Sequence, residues 1–404
     1  MSSRSWAVED DSPFGLQTLP YGSFTTADDK RPRVGVAVGG RVLDLTAAAT
    51  HVVPADAALL AGGDLAALLG AGRATWGRVR TALQAALSST SSQPHLEPLL
   101  LDAADVALRL PFPVADYVDF YSSEHHATNV GRMFRPDDDP LPQSWKHLPI
   151  GYHGRAGTVV VSGTPVARPC GQRRTDDGDV VFGPSLRLDL EAEVGFVVGT
   201  PSSSPVPLDR FADHVLGVCL VNDWSARDVQ AFEYVPLGPF LGKAFATSVS
   251  PWVVPLDALQ SARVVPPERD PVPLEHLDDT GAEPWGLDLR LEVVVNGTVV
   301  SRPPFASTYW TGAQQLAHLT SGGASVRTGD LYASGTVSGP EPHECGSLLE
   351  LSWAGTQPVR LDDGTSRTFL EDGDEVVVRG TAPGPEGTTV GLGEVRGRVV
   401  PARC

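Results

Sequence analysis

Carboxylate residues in this sequence have the types and spacing that a metal-assisted reaction needs. Glu191 and Glu193 lie two positions apart in the apolar run Leu188–Val198, so on a strand both side chains point to one face. Two adjacent like charges are unfavourable unless water screens them or a cation joins them, and the pair alone is typical of a solvated face. With Asp119 and Asp223 they would form an all-oxygen set that selects a hard ion such as Mg²⁺, Ca²⁺ or Mn²⁺. Spacing alone does not establish that the four residues converge.

Histidines provide a second signal, because His125, His126, His147 and His153 lie close together in the chain. A His-His pair in a polar loop is typical of a solvated surface. No HExxH motif or cysteine partner accompanies the pair, which disfavours a zinc site. By itself, the pair therefore indicates a surface feature rather than a catalyst.

The segment Asp223–Gln230 follows the apolar stretch Val215–Val221, which predicts a strand that delivers it towards the interior. If the segment is helical, Asp223, Arg227 and Gln230 share one face. An Asp–Arg pair on a helix is usually a surface salt bridge, but polar residues that enter the interior need partners.

Lys243 is unusual because the chain has few lysines: Lys30, Lys146 and Lys243. It is flanked by Phe240, Leu241 and Phe245, which predicts a half-buried side chain. The loop before it resembles a phosphate-binding loop, but its glycine spacing is one residue short and no Ser or Thr follows the lysine. The sequence also lacks a GxSxG motif, an EF-hand and a complete dinucleotide fingerprint, so it gives no indication of a nucleotide, a flavin or a nucleophilic serine.

Composition excludes several classes of partner. Lys+Arg 31 against Asp+Glu 49 gives a net charge of −18, which repels nucleic acids and anionic bilayers. An anionic substrate would therefore have to meet a local cation or a metal. The residues Met1–Asp11 include acids where a signal peptide needs an apolar core, and no apolar run is long enough to cross a bilayer. These features predict a soluble, cytoplasmic protein.

Cysteine spacing points the same way. Cys170, Cys219, Cys345 and Cys404 are scattered and form no CxxC motif. The pattern predicts no disulfide framework and no structural zinc site, and it fits a reducing cytosol.

The elements that must position these residues are short. The 404 residues suggest roughly two or three domains, and the 42 glycines and 35 prolines favour many turns and short strands. In the N-terminal part, Val34–Leu45 predicts a hairpin, and Asp56–Leu69 and Ala74–Leu87 predict helices. A polar break follows at Ser88–Pro94, so we predict domains 1–112 and 113–404.

The larger part indicates a β-rich domain with few helices. Val264–Trp285 is rich in proline and acids and predicts a surface excursion. The predicted strands are Thr158–Val161, Leu190–Val198, Leu289–Val295, Leu348–Trp353, Glu375–Val378 and Val395–Val400.

Several long stretches, in order, closely resemble the fumarylacetoacetase family (the fumarylacetoacetate hydrolases). They are Asp116–Asn129, His147–Arg155, Asn222–Asp228, Glu233–Lys243, Gly329–Gly339 and Gly346–Trp353. The resemblance implies a mainly β (α+β) fold: a small N-terminal SH3-like barrel and a large C-terminal mixed β-sandwich roll that forms most of a homodimer interface. It also implies hydrolysis of the C–C bond of 4-fumarylacetoacetate to fumarate and acetoacetate, the final step of tyrosine and phenylalanine catabolism.

The resemblance also implies roles for individual residues. The metal ligands for Mg²⁺ or Ca²⁺ would be Asp119, Glu191, Glu193 and Asp223, with Lys243 and Thr247 at a further Mg²⁺ position. His126 would be the general base and Glu350 its carboxylate partner. The developing negative charge would be held by Arg227, Gln230 and Lys243. The substrate contacts would be Tyr121, Arg135, Tyr152, Gln230, Tyr234 and Thr336.

These roles are chemically consistent. The β-diketone would chelate the ion, His126 would take a proton from water, and Glu350 would orient the imidazole. Arg135 could supply the positive contact that a dianionic diketo acid needs. The alternatives are an acylpyruvase, decarboxylase or hydratase of the same superfamily, and a noncatalytic, metal-stabilised carboxylate-binding protein. Relatives of the first kind lack the long Asp119–Arg155 block, and a pure binding site needs no base such as His126.

Overall fold

The computed structural model describes residues 5–9 and 12–404. Met1–Arg4, Asp10 and Asp11 lie outside the described residues. They belong to the N-terminal stretch that argues against a signal peptide. The fold is mainly β with short helices, as predicted. The strands, in chain order, are β1 Tyr21–Thr26, β2 Arg33–Val38, β3 Arg41–Asp44, β4 Leu100–Asp102, β5 Val106–Arg109, β6 Asp116–Phe120, β7 Gly151–His153, β8 Val159–Val161, β9 Val166–Ala167, β10 Cys170–Arg174, β11 Val180–Pro184, β12 Leu188–Asp189, β13 Ala192–Val198, β14 Val215–Asp223, β15 Ser225–Ala226, β16 Thr247–Val249, β17 Trp252–Pro255, β18 Arg263–Val264, β19 Gly286–Leu287, β20 Arg290–Val295, β21 Thr298–Ser301, β22 Asp330–Ala333, β23 Val359–Arg360, β24 Ser366–Arg367, β25 Glu375–Pro383 and β26 Thr389–Val400.

The helices are mostly short and lie between strands. They are α1 Leu45–Val52, α2 Ala66–Leu69, α3 Arg73–Ser88, α4 Gln93–Leu96, α5 Glu124–Phe134, α6 Phe211–His214, α7 Arg227–Glu233, α8 Gly312–Ser321 and α9 Leu348–Leu351. Short 3₁₀ turns link other elements, at Ala57–Leu60, Glu97–Leu99, Ala103–Asp105, Ala156–Thr158, Leu208–Arg210, Leu256–Ala262, Phe305–Ser307, Pro342–Glu344 and Pro385–Gly387.

One large mixed sheet runs through both halves of the chain, in the order β4-β3-β2-β1-β17-β14-β13-β22-β6-β7. The smaller N-terminal unit joins the larger C-terminal unit where Tyr21 and Gly22 of β1 pair with Val253 and Trp252 of β17. Off this path, β5 pairs with β1, and β16 pairs with β14 and β8. A second sheet has the order β21-β20-β25-β26-β9, and two-stranded ribbons form at β10-β11, β12-β15, β18-β19 and β23-β24.

The strand β13 is buried on both faces and separates two cores. Val194 and Phe196 pack with residues of the second sheet such as Val376, in the core of the larger unit. Val197 faces the other way and packs with N-terminal residues such as Leu83. Because helices and a second sheet cover both faces, the strand is continuously apolar apart from Glu193 and Gly195.

The hairpin and the second predicted helix are confirmed, as β2–β3 and α3. The predicted helix Asp56–Leu69 is wrong. The chain there forms a 3₁₀ turn at Ala57–Leu60, bends, and then forms α2. Gly62 and Gly63 lie in the bend, where their conformational freedom disfavours a continuous helix.

The predicted strand Leu348–Trp353 is also wrong, because its first residues form helix α9. The side chain of Ser347 caps this helix by accepting a hydrogen bond from the backbone N–H of Glu350 at 3.3 Å. A serine three residues before an acid is a typical helix start, and here it outweighs the strand-like alternation.

The excursion Val264–Trp285 is irregular and lies on the surface, as predicted. Its ends are joined where β18 pairs with β19. Val265, Val272 and Leu274 are exposed, whereas Leu277 is fully buried and anchors the segment to the rest of the molecule.

The cysteine spacing predicts no disulfide framework, but the structure has one disulfide, which joins Cys170 to Cys404 across 234 residues with a Cα–Cα distance of 6.0 Å. Strand β26 pairs in parallel with β9, which brings the chain end alongside the segment that precedes Cys170. Cys219 and Cys345 are buried and free. In residues 5–9 and 12–404, no helix is long and apolar enough to cross a membrane.

Candidate active site

A cavity of about 470 Å³ in the larger unit gathers most of the residues that the sequence singled out. Its lining includes Asp119, Tyr121, His126, Arg135, Tyr152, Glu191, Glu193, Arg227, Gln230, Tyr234, Lys243 and Thr336. Asp223 and Glu350 lie behind the lining and bond to its residues Lys243 and His126, and Thr247 bonds to Asp223. A larger open cavity of about 770 Å³ between the N-terminal unit and the second sheet contains none of these residues.

The carboxylates come together because the ends of neighbouring strands meet. Asp119 in β6 is in register with Ala333 of β22, and Ala333 is in register with Gly195 of β13. Glu193 lies on β13, and Asp223 ends the adjacent strand β14.

Asp119, Glu191, Glu193 and Asp223 are all buried, and each offers an oxygen within 4.8 Å of the others. Among the described residues, one oxygen of Asp119 and both oxygens of Glu193 have no hydrogen-bond partner. Buried acceptors without partners are costly, and a bound cation would satisfy these oxygens. The set therefore fits a hard divalent ion that prefers oxygen ligands.

Burial raises the pKa of Asp119 and Glu193 well above the usual range, and neighbouring carboxylates raise both further. At the other two acids, Glu191 and Asp223, neighbouring cations oppose this rise in pKa. Burial alone would raise the pKa of Glu191, but the charges of Arg227 and then Lys243 hold it below its ordinary value. The site is thus divided into Glu191 and Asp223, which form ion pairs with cations, and Asp119 and Glu193, which form none among the described residues.

Lys243 and Arg227 make the ion pairs. The ammonium of Lys243 contacts Glu191 and donates to Asp223 Oδ2 at 2.8 Å, and Arg227 Nη2 lies 2.7 Å from Glu191 Oε1. Burial alone would lower the pKa of Lys243, but Asp223 and Glu191 raise it above its ordinary value, so the lysine is charged. Thr247 Oγ1 donates to Asp223 Oδ1 at 2.8 Å.

His126 forms a buried pair with Glu350. His126 Nδ1 lies 2.6 Å from Glu350 Oε2. An ionised carboxylate only accepts hydrogen bonds, so Nδ1 carries a proton, and in the neutral imidazole Nε2 then has the lone pair. Nε2 lies 4.0 Å from Glu191 Oε1, at the edge of the carboxylate cluster.

The sequence indicated no role for three polar residues that contact Glu350. Ser338 and Ser347 donate to Glu350 Oε2 at 2.9 and 2.8 Å, and Asn129 donates to Oε1 at 3.0 Å. The only local signals were the position of Asn129 one helical turn after His126 and the cap position of Ser347. Ser338 belongs to a loop that only the fold brings to Glu350.

Several expectations about surroundings are corrected. His125 and His126 lie in helix α5 rather than a polar loop, and the ring of His126 is buried. Glu191 and Glu193 do not lie on a solvated face, because both acids are buried, and Glu191, just before β13, forms a bridge with Ser347 at the start of α9. Lys243 is buried rather than half-buried.

The predicted helix Asp223–Gln230 begins only at Arg227, because Asp223 is the last residue of β14 and two residues pair as β15 before α7. Arg227 and Gln230 do share a helix face, with Arg227 Nη1 donating to Gln230 Oε1 at 3.2 Å. Asp223 reaches the same site from the strand end.

The residues implied as substrate contacts form a wall that adjoins His126 and the carboxylates. The ring of Tyr121 meets that of His126 edge-on, with centroids 5.4 Å apart. Tyr152 donates to Asp223 Oδ2 at 3.3 Å, and Arg135 donates to the carbonyl of Pro140 at 3.0 Å. Thr336 and Tyr234 complete this wall.

Gly335, which lines the cavity, has a positive φ of 76°, and a methyl group there would overlap the carbonyl oxygen of Phe120. We expect Gly335→Ala to lower the free energy of unfolding by at least about 1 kcal/mol, because alanine disfavours this backbone and would displace the end of β6 beside Asp119. Chemical denaturation would measure the loss, and kcat should fall with it.

Gly157→Ala is a matched control, because Gly157 is exposed and a methyl group there meets no atom within 4 Å. This variant should keep wild-type stability and rate. Equal behaviour of the two variants would contradict the requirement for glycine at position 335.

Comparisons with known proteins agree with this architecture. The family model for the fumarylacetoacetate (FAA) hydrolase C-terminal domain matches residues 116–400, and the fumarylacetoacetase N-terminal model matches residues 17–111. Fumarylacetoacetase of Homo sapiens is 45% identical over 413 residues, covering 98% of both chains. The Arabidopsis thaliana enzyme is 42% identical over 418 residues, covering 98% of this chain and 97% of its own.

Solved structures show the same fold at low sequence identity. A fumarylacetoacetate hydrolase from Exiguobacterium antarcticum has a TM-score of 0.55 and 16% identity, covering 95% of this chain and 100% of its own. A maleylpyruvate hydrolase from Sphingobium has a TM-score of 0.53 and 17% identity, with the same coverage.

Proposed function

This chain belongs to the fumarylacetoacetase family and is a hydrolase, and from that premise we propose that it cleaves the carbon–carbon bond of 4-fumarylacetoacetate to give fumarate and acetoacetate. The observation that carries the proposal is the buried His126–Glu350 pair opening onto a carboxylate cluster in one cavity. A site that only bound carboxylates would need no base of this kind.

We assign His126 as the general base. With its proton on Nδ1, the imidazole has Nε2 free to take a proton from water, and Glu350 stabilises the imidazolium that forms. The hydroxide attacks the carbonyl next to the scissile bond. After the bond breaks, the imidazolium can return the proton to the acetoacetate carbanion, which regenerates the base.

We assign Arg227, Gln230 and Lys243 as the groups that hold the developing oxyanion. The bond from Arg227 to Gln230 Oε1 orients the Gln230 amide so that its N–H₂ group is left to donate. Lys243 donates to Glu191 and Asp223 and retains a third N–H. Fixed donors in a site closed to water favour a charge that develops only in the transition state.

We propose that Asp119, Glu191, Glu193 and Asp223 hold a divalent ion, Mg²⁺ or Ca²⁺. Such an ion, when bound, polarises a carbonyl group and holds a β-diketone by two oxygens. Four carboxylates with one divalent ion sum to −2, which the charges of Arg227 and Lys243 cancel. Thr247 and Lys243 support Asp223 from the protein side.

The substrate carries two carboxylates, and Arg135 lines the cavity as a cation for one of them. Tyr121, Tyr152, Tyr234 and Thr336 would orient the chain of the diketo acid. The reaction would be the final step of tyrosine and phenylalanine catabolism, carried out by a cytoplasmic homodimer.

The experiment is to follow the loss of diketone absorbance with purified protein and Mg²⁺ or Ca²⁺, and to quantify the products. Equal amounts of fumarate and acetoacetate are expected. An acylpyruvate serves as the comparison substrate, because it shares the chelating oxygens but lacks the second carboxylate that Arg135 would bind. Turnover of the acylpyruvate alone, or of neither compound, would overturn the proposal.

A further inference from the structure

Asp189 is a buried carboxylate that the mechanism above does not use. It ends β12, the short strand that pairs with β15 immediately before helix α7. Its side chain is completely inaccessible to solvent. Burial of a charged group is unfavourable unless polar partners surround it.

Four N–H groups surround this carboxylate. Oδ2 accepts from Arg227 Nε at 2.8 Å and from the backbone of Leu349 at 3.1 Å. Oδ1 accepts from the backbones of Leu348 and Leu190, both at 2.8 Å. Because all four neighbours are donors, the geometry suits an ionised carboxylate that only accepts.

Asp189 therefore joins two parts of the candidate site. Leu348 and Leu349 begin α9, the helix that carries Glu350. Arg227 begins α7 and points its other guanidinium nitrogens at Glu191, at 2.7 Å, and at Gln230, at 3.2 Å. A planar guanidinium held at Nε as well as at both outer nitrogens has one orientation, whereas one held only at its outer nitrogens can rotate.

We propose that Asp189 is a positioning residue that acts through Arg227, holding the guanidinium in the orientation needed to meet the oxyanion. The inference rests on the proposed function. Asp189 does not line the cavity, so it contacts no substrate, and its effect is on the rate of the chemical step rather than on binding.

The test is Asp189→Asn in the full-length, metal-loaded enzyme. We expect kcat to fall about 10- to 100-fold, less than the loss of an oxyanion donor itself, with KM within about three-fold of wild type. Asparagine keeps the size of the side chain but offers Arg227 no negative charge.

Asp374→Asn is the matched control. Asp374 is also a buried carboxylate that holds an arginine, Arg367, with bonds of 2.8 and 2.9 Å, and it lies in the loop before β25, outside the cavity lining. We expect this control to lower the melting temperature about as much as Asp189→Asn does, while its kcat stays within about two-fold of wild type. Such a result separates positioning from general loss of stability.

A double-variant cycle with Arg227→Ala identifies the route of the effect. If Asp189 acts through Arg227, then Asp189→Asn in the Arg227→Ala background should lower kcat by no more than about two-fold further. It should also lower the melting temperature less than Asp189→Asn does alone, because the Asp189–Arg227 ion pair is already absent in that background. The comparison of kcat values remains available if the single variant Asp189→Asn does not fold.

Multiplicative losses in the double variant, or a folded Asp189→Asn enzyme with kcat within about two-fold of wild type, would overturn the inference. Failure of the wild-type enzyme to cleave 4-fumarylacetoacetate would instead overturn the proposed function, and the melting temperatures would still report the Asp189–Arg227 coupling.

Discussion

His126→Ala is expected to lower kcat by about 10²–10⁴-fold, the usual contribution of a general base. The variant removes the ring nitrogen that would take a proton from water, and it leaves Glu350 with its bonds from Ser338, Ser347 and Asn129. Steady-state rates with 4-fumarylacetoacetate measure the loss, and circular dichroism checks that the fold is retained.

His125→Ala provides a neighbouring control on the same helix, since His125 does not line the cavity. It should retain a near-normal rate. A near-normal rate in His126→Ala would remove the general-base assignment, whereas equal losses in both variants would indicate damage to helix α5.

Glu193→Gln is expected to abolish the stabilisation that a divalent ion gives to the protein, and turnover with it. Both oxygens of Glu193 are buried without a hydrogen-bond partner, so the residue has no structural reason to be charged except to bind a cation. For the wild-type protein after treatment with a chelator, Mg²⁺ or Ca²⁺ at 100 times Kd should stabilise the fold by about 2.7 kcal/mol.

In the absence of metal the same substitution should have the opposite effect on stability. Burial and the neighbouring acids raise the pKa of Glu193, so at neutral pH this carboxyl lowers the stability of the metal-free fold. The metal-free Glu193→Gln variant should therefore melt above the metal-free wild type. Thermal unfolding with and without the ion measures both effects. The control is Glu375→Gln, because Glu375 of β25 forms a surface ion pair with Arg398 of β26, and this variant should respond to metal as the wild type does. Metal stabilisation equal to wild type in Glu193→Gln would contradict the assigned ligand set.

Local patterns in the sequence predicted those elements that local interactions determine. The β2–β3 hairpin follows from a Gly-Gly turn between apolar strands, and α3 follows from the spacing of Trp76, Val79, Leu83 and Leu87, all of which are buried. Local pattern was misleading at Asp56–Leu69 and at Leu348–Trp353. There, a glycine pair and a helix cap changed the backbone without altering the apolar pattern that predicted the elements.

The family resemblance identified the residue types of the candidate site from long matching stretches, and those residues do lie together. Residue spacing alone favoured a solvated face for Glu191 and Glu193 and a surface position for His125 and His126. Burial reversed these interpretations for Glu191, Glu193 and His126, because the environment of a side chain depends on what covers it, and the covering elements are distant in the chain.

The sequence by itself determined a mainly β fold, an acidic chain that needs local cations to bind an anion, and a set of oxygen donors suited to a hard ion. Only the tertiary structure decided which donors lack partners, which cations are already paired, and that Asp189 ties Arg227 to the helix of Glu350. It also joined Cys170 to Cys404, through the parallel pairing of β9 with β26. The physical reason is the same in each case: charge and hydrogen bonding act over a few ångströms in space, and strand pairing between remote segments sets those distances.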